Sequence, residues 1–310
     1  MSPIYLSEGD VTELVDMECA IGALRSAFAE QANGGAMNSP RTRARYWGSR
    51  LNMMSAGLKS GRFGFKAYAG TNAPTVYHVM LYDAERGLIA IIEARRLSRL
   101  RTGAATGLAT DLLAKRGPVR LAMIGAGEQA RTQLAAVAAV REMADISVFA
   151  RNLQRLRAFC ADVSAATGQS LRPALSAAEC IAQADVIITA TDSETPVIHD
   201  AWLPANVHIN TVGANAANRM ELDLATFARA RLVATDDIEQ ARIEAGEIIA
   251  CVGSGKMAWS DIAQLSDLID KDSPRGGLTI FKSLGAALED VALASAVYDR
   301  AIAQGRGRAL

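Results

Sequence analysis

Residues 119–130 read VRLAMIGAGEQA, an apolar run that ends in Gly125-x-Gly127-x-x-Ala130 and passes into a stretch with helical spacing. In isolation such a turn is weak, and an ordinary glycine-rich strand-to-helix connection is the alternative reading. Closing a buried strand and opening a helix, it is the dinucleotide-binding fingerprint of a doubly wound sheet. The first glycine allows the tight turn, the second lets backbone approach a pyrophosphate, and a small third residue lets helix pack on strand. The 118 residues before the turn are enough for a separate substrate-binding part.

The flanking pattern favours the fingerprint. Beyond the turn, strands and helices alternate: VRLAMI with a helix over 128–141, ISVFA with 152–167, VIITAT with a turn, VHINTVG with 222–229, and RLVAT with 236–245. This predicts a Rossmann-type, doubly wound parallel sheet with right-handed crossovers. Upstream, Asp10-x-x-Glu13 resembles a capping box, and Met17, Ile21, Leu24 and Phe28 continue a helix until Asn33-Gly34-Gly35. From Arg41 to Ala94 the segments LNMMSA, RFGFKAYA, TVYHVMLYD and LIAIIEA predict a mostly antiparallel sheet, and Ser98–Lys115 a helix closed by Gly117-Pro118. A final helix, 284–303, is expected to return to the first domain. The expected domains are 1–115 plus 286–310, an α+β substrate and dimerisation domain, and 116–285, the dinucleotide-binding domain.

At 310 residues, half of them hydrophobic and 21% charged, the chain has a globular composition and length for about two domains. Lys+Arg and Asp+Glu both number 33, so no electrostatic footprint for nucleic acid or an anionic membrane appears. Cys19, Cys160, Cys180 and Cys251 are scattered, the first residues are charged where a signal peptide is apolar, and no apolar run reaches the ~20 residues of a membrane span. A cytoplasmic protein without a metal site is expected. His78, His199 and His208 read as structural, and no Ser or Cys has an evident base partner.

The tip of the second Rossmann strand selects between NAD and NADP, an acid there bonding the ribose hydroxyl and an arginine a 2′-phosphate. Here it reads Val148-Phe149-Ala150-Arg151-Asn152, with no acid. NADPH is therefore expected over NADH, with Arg151 as phosphate partner and Asn152 also capping the next helix.

Six motifs, in order, resemble the ornithine cyclodeaminase/mu-crystallin family across nearly the whole chain: Pro40-Arg41, Gly64-Phe65-Lys66, Leu100–Ala105 (LRTGAA), Ile124–Ala130 (IGAGEQA), His208–Gly213 (HINTVG) and Thr279–Ser283 (TIFKS). The resemblance implies a homodimer paired through the N-terminal domain, with the active site in the cleft against the Rossmann domain. It implies activities among ornithine or lysine cyclodeamination, alanine dehydrogenation and ketimine reduction. The family's carboxylate-binding arginines fall on Arg41 and Arg101 and its active-site lysine on Lys66. Guanidinium forks suit an α-imino or α-keto acid, and a lysine between two arginines should have a lowered pKa and pass a proton. A solvated basic run with Arg43, Arg45 and Arg50, an exposed strand lysine and a surface helix arginine are the bland alternatives. Thr102, Gly125, Gly127, Glu128, Gln129, Thr189, Thr191, Val212, Arg219 and Ser283 match positions at the cofactor, and Lys282 is assigned no role.

Asn215 departs from the pattern: ornithine cyclodeaminase and archaeal alanine dehydrogenase carry an aspartate there. An amide orients an imine or amine but takes up no proton. The expected function is NAD(P)H-dependent reduction of a small α-imino acid, a cyclic ketimine such as Δ1-pyrroline-2-carboxylate. Arg41 and Arg101 would clamp the carboxylate, Lys66 would supply the proton, and Asn215 would orient the nitrogen. The rivals are a cyclodeaminase with bound NAD, an alanine-type dehydrogenase and a mu-crystallin-like ligand-binding protein.

Overall fold

The computed structural model describes residues 2–271 and 275–310. It divides into two compact units, Met1–Ala105 with Gly285–Leu310, and Thr106–Leu284.

The first unit opens with β1 (Ile4–Leu6), α1 (Glu8–Leu14) and α2 (Met17–Ala32). An antiparallel meander follows, β2 (Ala36–Tyr46), β3 (Ser49–Leu58), β4 (Arg62–Gly70), β5 (Tyr77–Asp83) and β6 (Gly87–Glu93), and then α3 (Arg95–Leu113). β1 adds in parallel to β6. Side chains alternate across a pleated strand, so Met54, Lys66 and Val79, cross-strand partners, share one face, and all three are buried. That face packs against the long C-terminal helix described below. Gly64 lies two residues before Lys66, and a Cβ there would stand 2.3 Å from the Met80 carbonyl oxygen, so only glycine fits.

In the second unit come β7 (Val119–Ile124), α4 (Glu128–Ala138), β8 (Met143–Phe149), α5 (Leu153–Thr167), β9 (Leu171–Pro173), α6 (Ala177–Ile181) and β10 (Val186–Thr189). They are followed by β11 (Val207–Thr211), α7 (Leu224–Arg229), β12 (Leu232–Thr235), α8 (Ile238–Glu244), α9 (Gly246–Gly253), β13 (Ile262–Gln264) and β14 (Leu278–Lys282). The sheet is parallel throughout, in the order β13-β12-β14-β11-β10-β7-β8-β9. Its direction of winding reverses between β7 and β10, the switch point where a doubly wound sheet binds ligands at its carboxyl edge. The expected Rossmann-type α/β architecture is present. The chain then re-enters the first unit as α10 (Ala287–Ala303), which packs on α2, β3 and β4, and β15 (Arg308–Ala309) pairs with β1.

Several expected boundaries move for identifiable reasons. The capping box is Ser7 with Asp10 rather than Asp10 with Glu13: Asp10 N–H donates to the Ser7 hydroxyl, and Ser7 N–H to the Asp10 carboxylate. The opening helix breaks at extended Val15, and Asp16 caps a second one through Cys19 N–H. The helix expected over 236–245 is capped by Asp237, ends at Glu244 and is followed by α9, which the sequence pattern did not separate. Gly246 sets that junction, since a Cβ there would lie 2.3 Å from the Arg219 carbonyl oxygen. The last helix starts at Ala287 rather than 284. The domain boundary expected at 115 instead falls within α3, whose C-terminal half belongs to the second unit. Arg141 donates there to the Thr110 and Asp111 carbonyls, and Asn210 to the Thr110 hydroxyl.

Candidate active site

In the first unit the cations that the sequence scattered over three segments meet two carboxylates from one helix turn. Lys66 projects from β4 beneath α10, its Nζ 2.8 Å from both oxygens of Asp290. Arg101, on α3, donates from Nε to Asp290 at 3.0 Å and from Nη1 to Glu289 at 2.7 Å. Arg41 donates from Nη2 to the Gly285 carbonyl at 3.1 Å. The β2–β3 register slips between Ser39 and Thr42, so Pro40 and Arg41 form a bulge. A bulge re-aims side chains, and Arg41 is buried while Arg45 and Arg50 of the same hairpin are exposed. Gly285, at φ +77°, lies so close under Arg101 that a Cβ would come within 2.1 Å of its Nη1.

All five charged side chains are buried: Arg41 and Arg101 are 6% exposed, Lys66 2%, Glu289 and Asp290 0%. Three cations and two carboxylates share this buried cluster, and buried charges are stabilised by the partners that pair with them. Burial, then the Arg101 guanidinium and more weakly Arg41, bring Lys66 down to about 7 against the opposing pull of Asp290. The sequence argument anticipated the arginines; the larger cause is loss of water.

The second unit arranges its turns around glycines and one acid. Gly125 has φ +113°, and a Cβ on it would stand 2.4 Å from the Ala190 carbonyl oxygen, so the end of β7 touches the segment after β10. Gly127 begins α4 without a side-chain cap and with open space where a Cβ would be, while Ala130 is fully buried against β7 and β8. A helix N-terminus whose first N–H groups meet no capping side chain fits a pyrophosphate. Glu128 is exposed in that first turn and Gln129 partly buried.

Glu221, which the sequence reading missed, joins the carboxyl ends of β10 and β11. Its fully buried carboxylate accepts from Thr189 Oγ1 (2.9 Å), Thr191 N (2.8 Å) and Oγ1 (2.7 Å), Thr211 Oγ1 (3.1 Å) and Gly213 N (2.7 Å). Its own N–H donates to Glu247 at 2.8 Å, and Glu247 pairs at 3.1 Å with Lys282 on β14, both fully buried. Thr189 and Thr191 thus use their hydroxyls to brace the strand ends. Lys282, left without a role from sequence, is a buried structural counter-charge.

The remaining expected site residues occupy varied surroundings. Val212 N–H donates to the Thr189 carbonyl at 2.9 Å. The Ser283 hydroxyl donates to Asp236 at 3.4 Å, and Leu284 N–H to the same carboxylate at 2.8 Å. Arg219 is partly exposed in the loop after β11, and Asn215 is exposed there. In the first unit Thr102 donates its hydroxyl to the Ser98 carbonyl at 2.8 Å. Arg151, its side chain 85% exposed, lies 3.6 Å from equally exposed Asp192, and Asn152 caps α5 by accepting from Arg155 N–H at 2.9 Å. His208 is enclosed, with Nδ1 2.9 Å from Thr279 Oγ1 and Nε2 3.2 Å from Asn210 Oδ1, and burial lowers it to about 4. Burial likewise raises the Cys180 thiol to about 11, an inert value. Among the described residues no three His, Cys, Asp or Glu side chains gather as a metal site, and no helix is long and apolar enough to cross a membrane.

Similarity to known proteins agrees with this geometry. The profile of the ornithine cyclodeaminase/mu-crystallin family matches residues 1–305. The chain belongs to that family. Similar proteins include an alanine dehydrogenase of Archaeoglobus fulgidus, 32% identical over 99% of this chain and 98% of the relative. A Δ1-pyrroline-2-carboxylate reductase of Bacillus cereus is 34% identical over 74% of this chain and 72% of its own. Among solved structures of the family, the Δ1-pyrroline-2-carboxylate reductase of Thermococcus litoralis, in complex with NADH and L-proline, superposes with a TM-score of 0.92. It is 30% identical and covers 99% of this chain and all of that one.

Proposed function

We propose that the protein is an NAD(P)H-dependent reductase of a small α-imino acid, with a cyclic ketimine such as Δ1-pyrroline-2-carboxylate as substrate and NADPH preferred over NADH. The observation that carries this reading is the buried meeting of two guanidinium groups, Arg41 and Arg101, with the Lys66 ammonium. An α-carboxylate is the small anion that guanidinium forks hold with defined orientation. Arg41 and Arg101 fix the carboxylate and thereby the adjacent C=N bond. Lys66, which titrates near neutrality, delivers the proton to the imine nitrogen. A nicotinamide cofactor, with its pyrophosphate held at the Gly125–Gly127 turn, would supply the hydride that together with one proton converts an imine to an amine. Asn215 orients the nitrogen by hydrogen bonding, and as an amide it takes no proton from an amino-acid substrate, which counts against cyclodeamination. The exposed Arg151, in a β8 tip whose residues 148–152 include no acid, supports NADPH, with Asp192 3.6 Å away as the carboxylate a 2′-phosphate would displace.

The enzyme acts as a homodimer in the cytoplasm. Apolar side chains on the meander of the first unit support pairing through that domain: Met37, Met53 and Phe63 lie on one exposed face, with Trp47 fully exposed at a hairpin turn. Four free cysteines accord with a reducing compartment.

The full-length likeness to an alanine dehydrogenase favours a second reading, reductive amination of a keto acid. One screen separates the two. Absorbance of NADPH and of NADH is followed with cyclic imines, and with keto acids in the presence and absence of ammonium. Rapid NADPH oxidation by a cyclic imine without ammonium is expected. Strict dependence on ammonium supports the second reading, and preference for NADH sinks the Arg151 assignment.

A further inference from the structure

The two carboxylates at the start of α10 are not equivalent. Asp290 touches the Lys66 ammonium, with both oxygens 2.8 Å from Nζ and one of them 3.0 Å from Arg101 Nε, whereas Glu289 meets Arg101. The Asp290 carboxylate is fully buried, and it rides on a helix seated on the sheet that carries Lys66. Strand neighbours contribute no charge at this level, since Lys66 stands between Met54 on β3 and Val79 on β5. The charged groups around it are therefore Arg41 from β2, Arg101 from α3, and Asp290 with Glu289 from α10. The Tyr68 ring of its own strand lies 5.9 Å away.

We propose that Asp290 is a positioning residue of the reaction: by bridging Lys66 and Arg101 it fixes the spacing between the proton donor and one arm of the carboxylate clamp, and holds the ammonium against the repulsion of two guanidinium groups. This deepens the reductase reading and rests on it. The site needs a lysine that is cationic when substrate arrives and neutral after the proton has gone. Two arginines and burial alone favour the neutral form too strongly. A single carboxylate in contact with the ammonium offsets them, and its second bond to Arg101 prevents the pair from rotating away together. Glu289 accepts from Arg101 and balances charge without touching the donor.

The test reads Lys66 directly. The chain has only six lysines, so in protein labelled with 13C at lysine Cε the Lys66 resonance is assigned by its loss in Lys66→Met and followed with pH. Wild type is expected to titrate near 7. Asp290→Asn is expected to titrate about one pH unit or more lower. Glu289→Gln should move it distinctly less. The limb of kcat/KM for imine reduction should move with the resonance. An Asp290→Asn titration at or above the wild-type midpoint, or a Glu289→Gln change as large as that of Asp290→Asn, overturns the proposal. Asp290→Glu keeps the charge but lengthens the arm, so its titration should stay close to wild type while imine reduction falls at least about tenfold. Full activity of that variant also overturns the positioning role, even if Asp290→Asn fails to fold. A displaced Asp290→Asn titration beside wild-type protein that reduces no imine sinks the reductase reading, while the hold of Asp290 on the Lys66 ammonium is still shown.

Discussion

Lys66 makes the pH dependence of this protein a local question. Its pKa in the folded chain, about 7, lies below the ordinary 10.5, so between those values the unfolded chain holds a proton that the folded one has released. Stability from this group therefore rises with pH across that window and levels off above it, and below about 7 the burial of a charge opposes folding in full. The same titration sets the chemistry. With the protonated lysine as donor, kcat/KM for imine reduction is expected to fall as pH rises through about 7, and oxidation of the amino acid to rise through the same range. A reduction rate flat from pH 6 to 9 would remove Lys66 as the donor. Lys66→Ala should lower turnover by about 10²–10⁴, the usual worth of a positioned general acid, and a variant with wild-type turnover would refute the proton role. Sequence gave this lysine an apolar strand and a family position. Its burial and carboxylate partner needed the structure, because Glu289 and Asp290 sit in an apolar helix whose periodicity draws the eye to Leu288, Val291, Leu293 and Val297.

At the scale of elements, the β7–α4 turn depends on close backbone approach. Gly125→Ala would force a side chain into φ +113° and into the Ala190 carbonyl at 2.4 Å. A loss of about 1–3 kcal/mol in stability is expected, measured by urea unfolding, together with weaker binding of the dinucleotide in fluorescence titration. Unchanged values in both would contradict the packing described for the turn. Strand and helix alternation made most of this unit readable, since a turn signal separates each apolar run from its helix. What stayed hidden has a common cause. Glu221 lies in an aperiodic loop and earns its place through five contacts with residues 8 to 32 positions away. The short β9 and β13, three residues each, are too brief to show a period. β14 was visible only as a motif, because a run of five buried residues does not announce which strands it lies between.

The whole molecule is expected to be a dimer of 32.8 kDa chains. Met37 pairs across the sheet with Gly57, and Gly57 with Phe63, so one row of the exposed face carries both large apolar side chains. Two lysines placed there should disrupt a self-complementary interface, since a two-fold contact repeats each change. Light scattering of Met37→Lys/Phe63→Lys should report monomer where wild type reports dimer, and a dimeric variant would exclude this face. The order in which the chain leaves the ribosome gives β14 and α10 a further importance. Until residues 278–282 emerge, β11 and β12 have no strand between them, and the sheet of the second unit is two separate pieces. Seven and eight residues later the same segment delivers Glu289 and Asp290, the partners of Lys66 and Arg101. Both units therefore wait on one late stretch of synthesis. A nascent chain stalled before residue 278 would expose an open parallel edge and two buried-type cations at once, the kind of unfinished surface that chaperones hold.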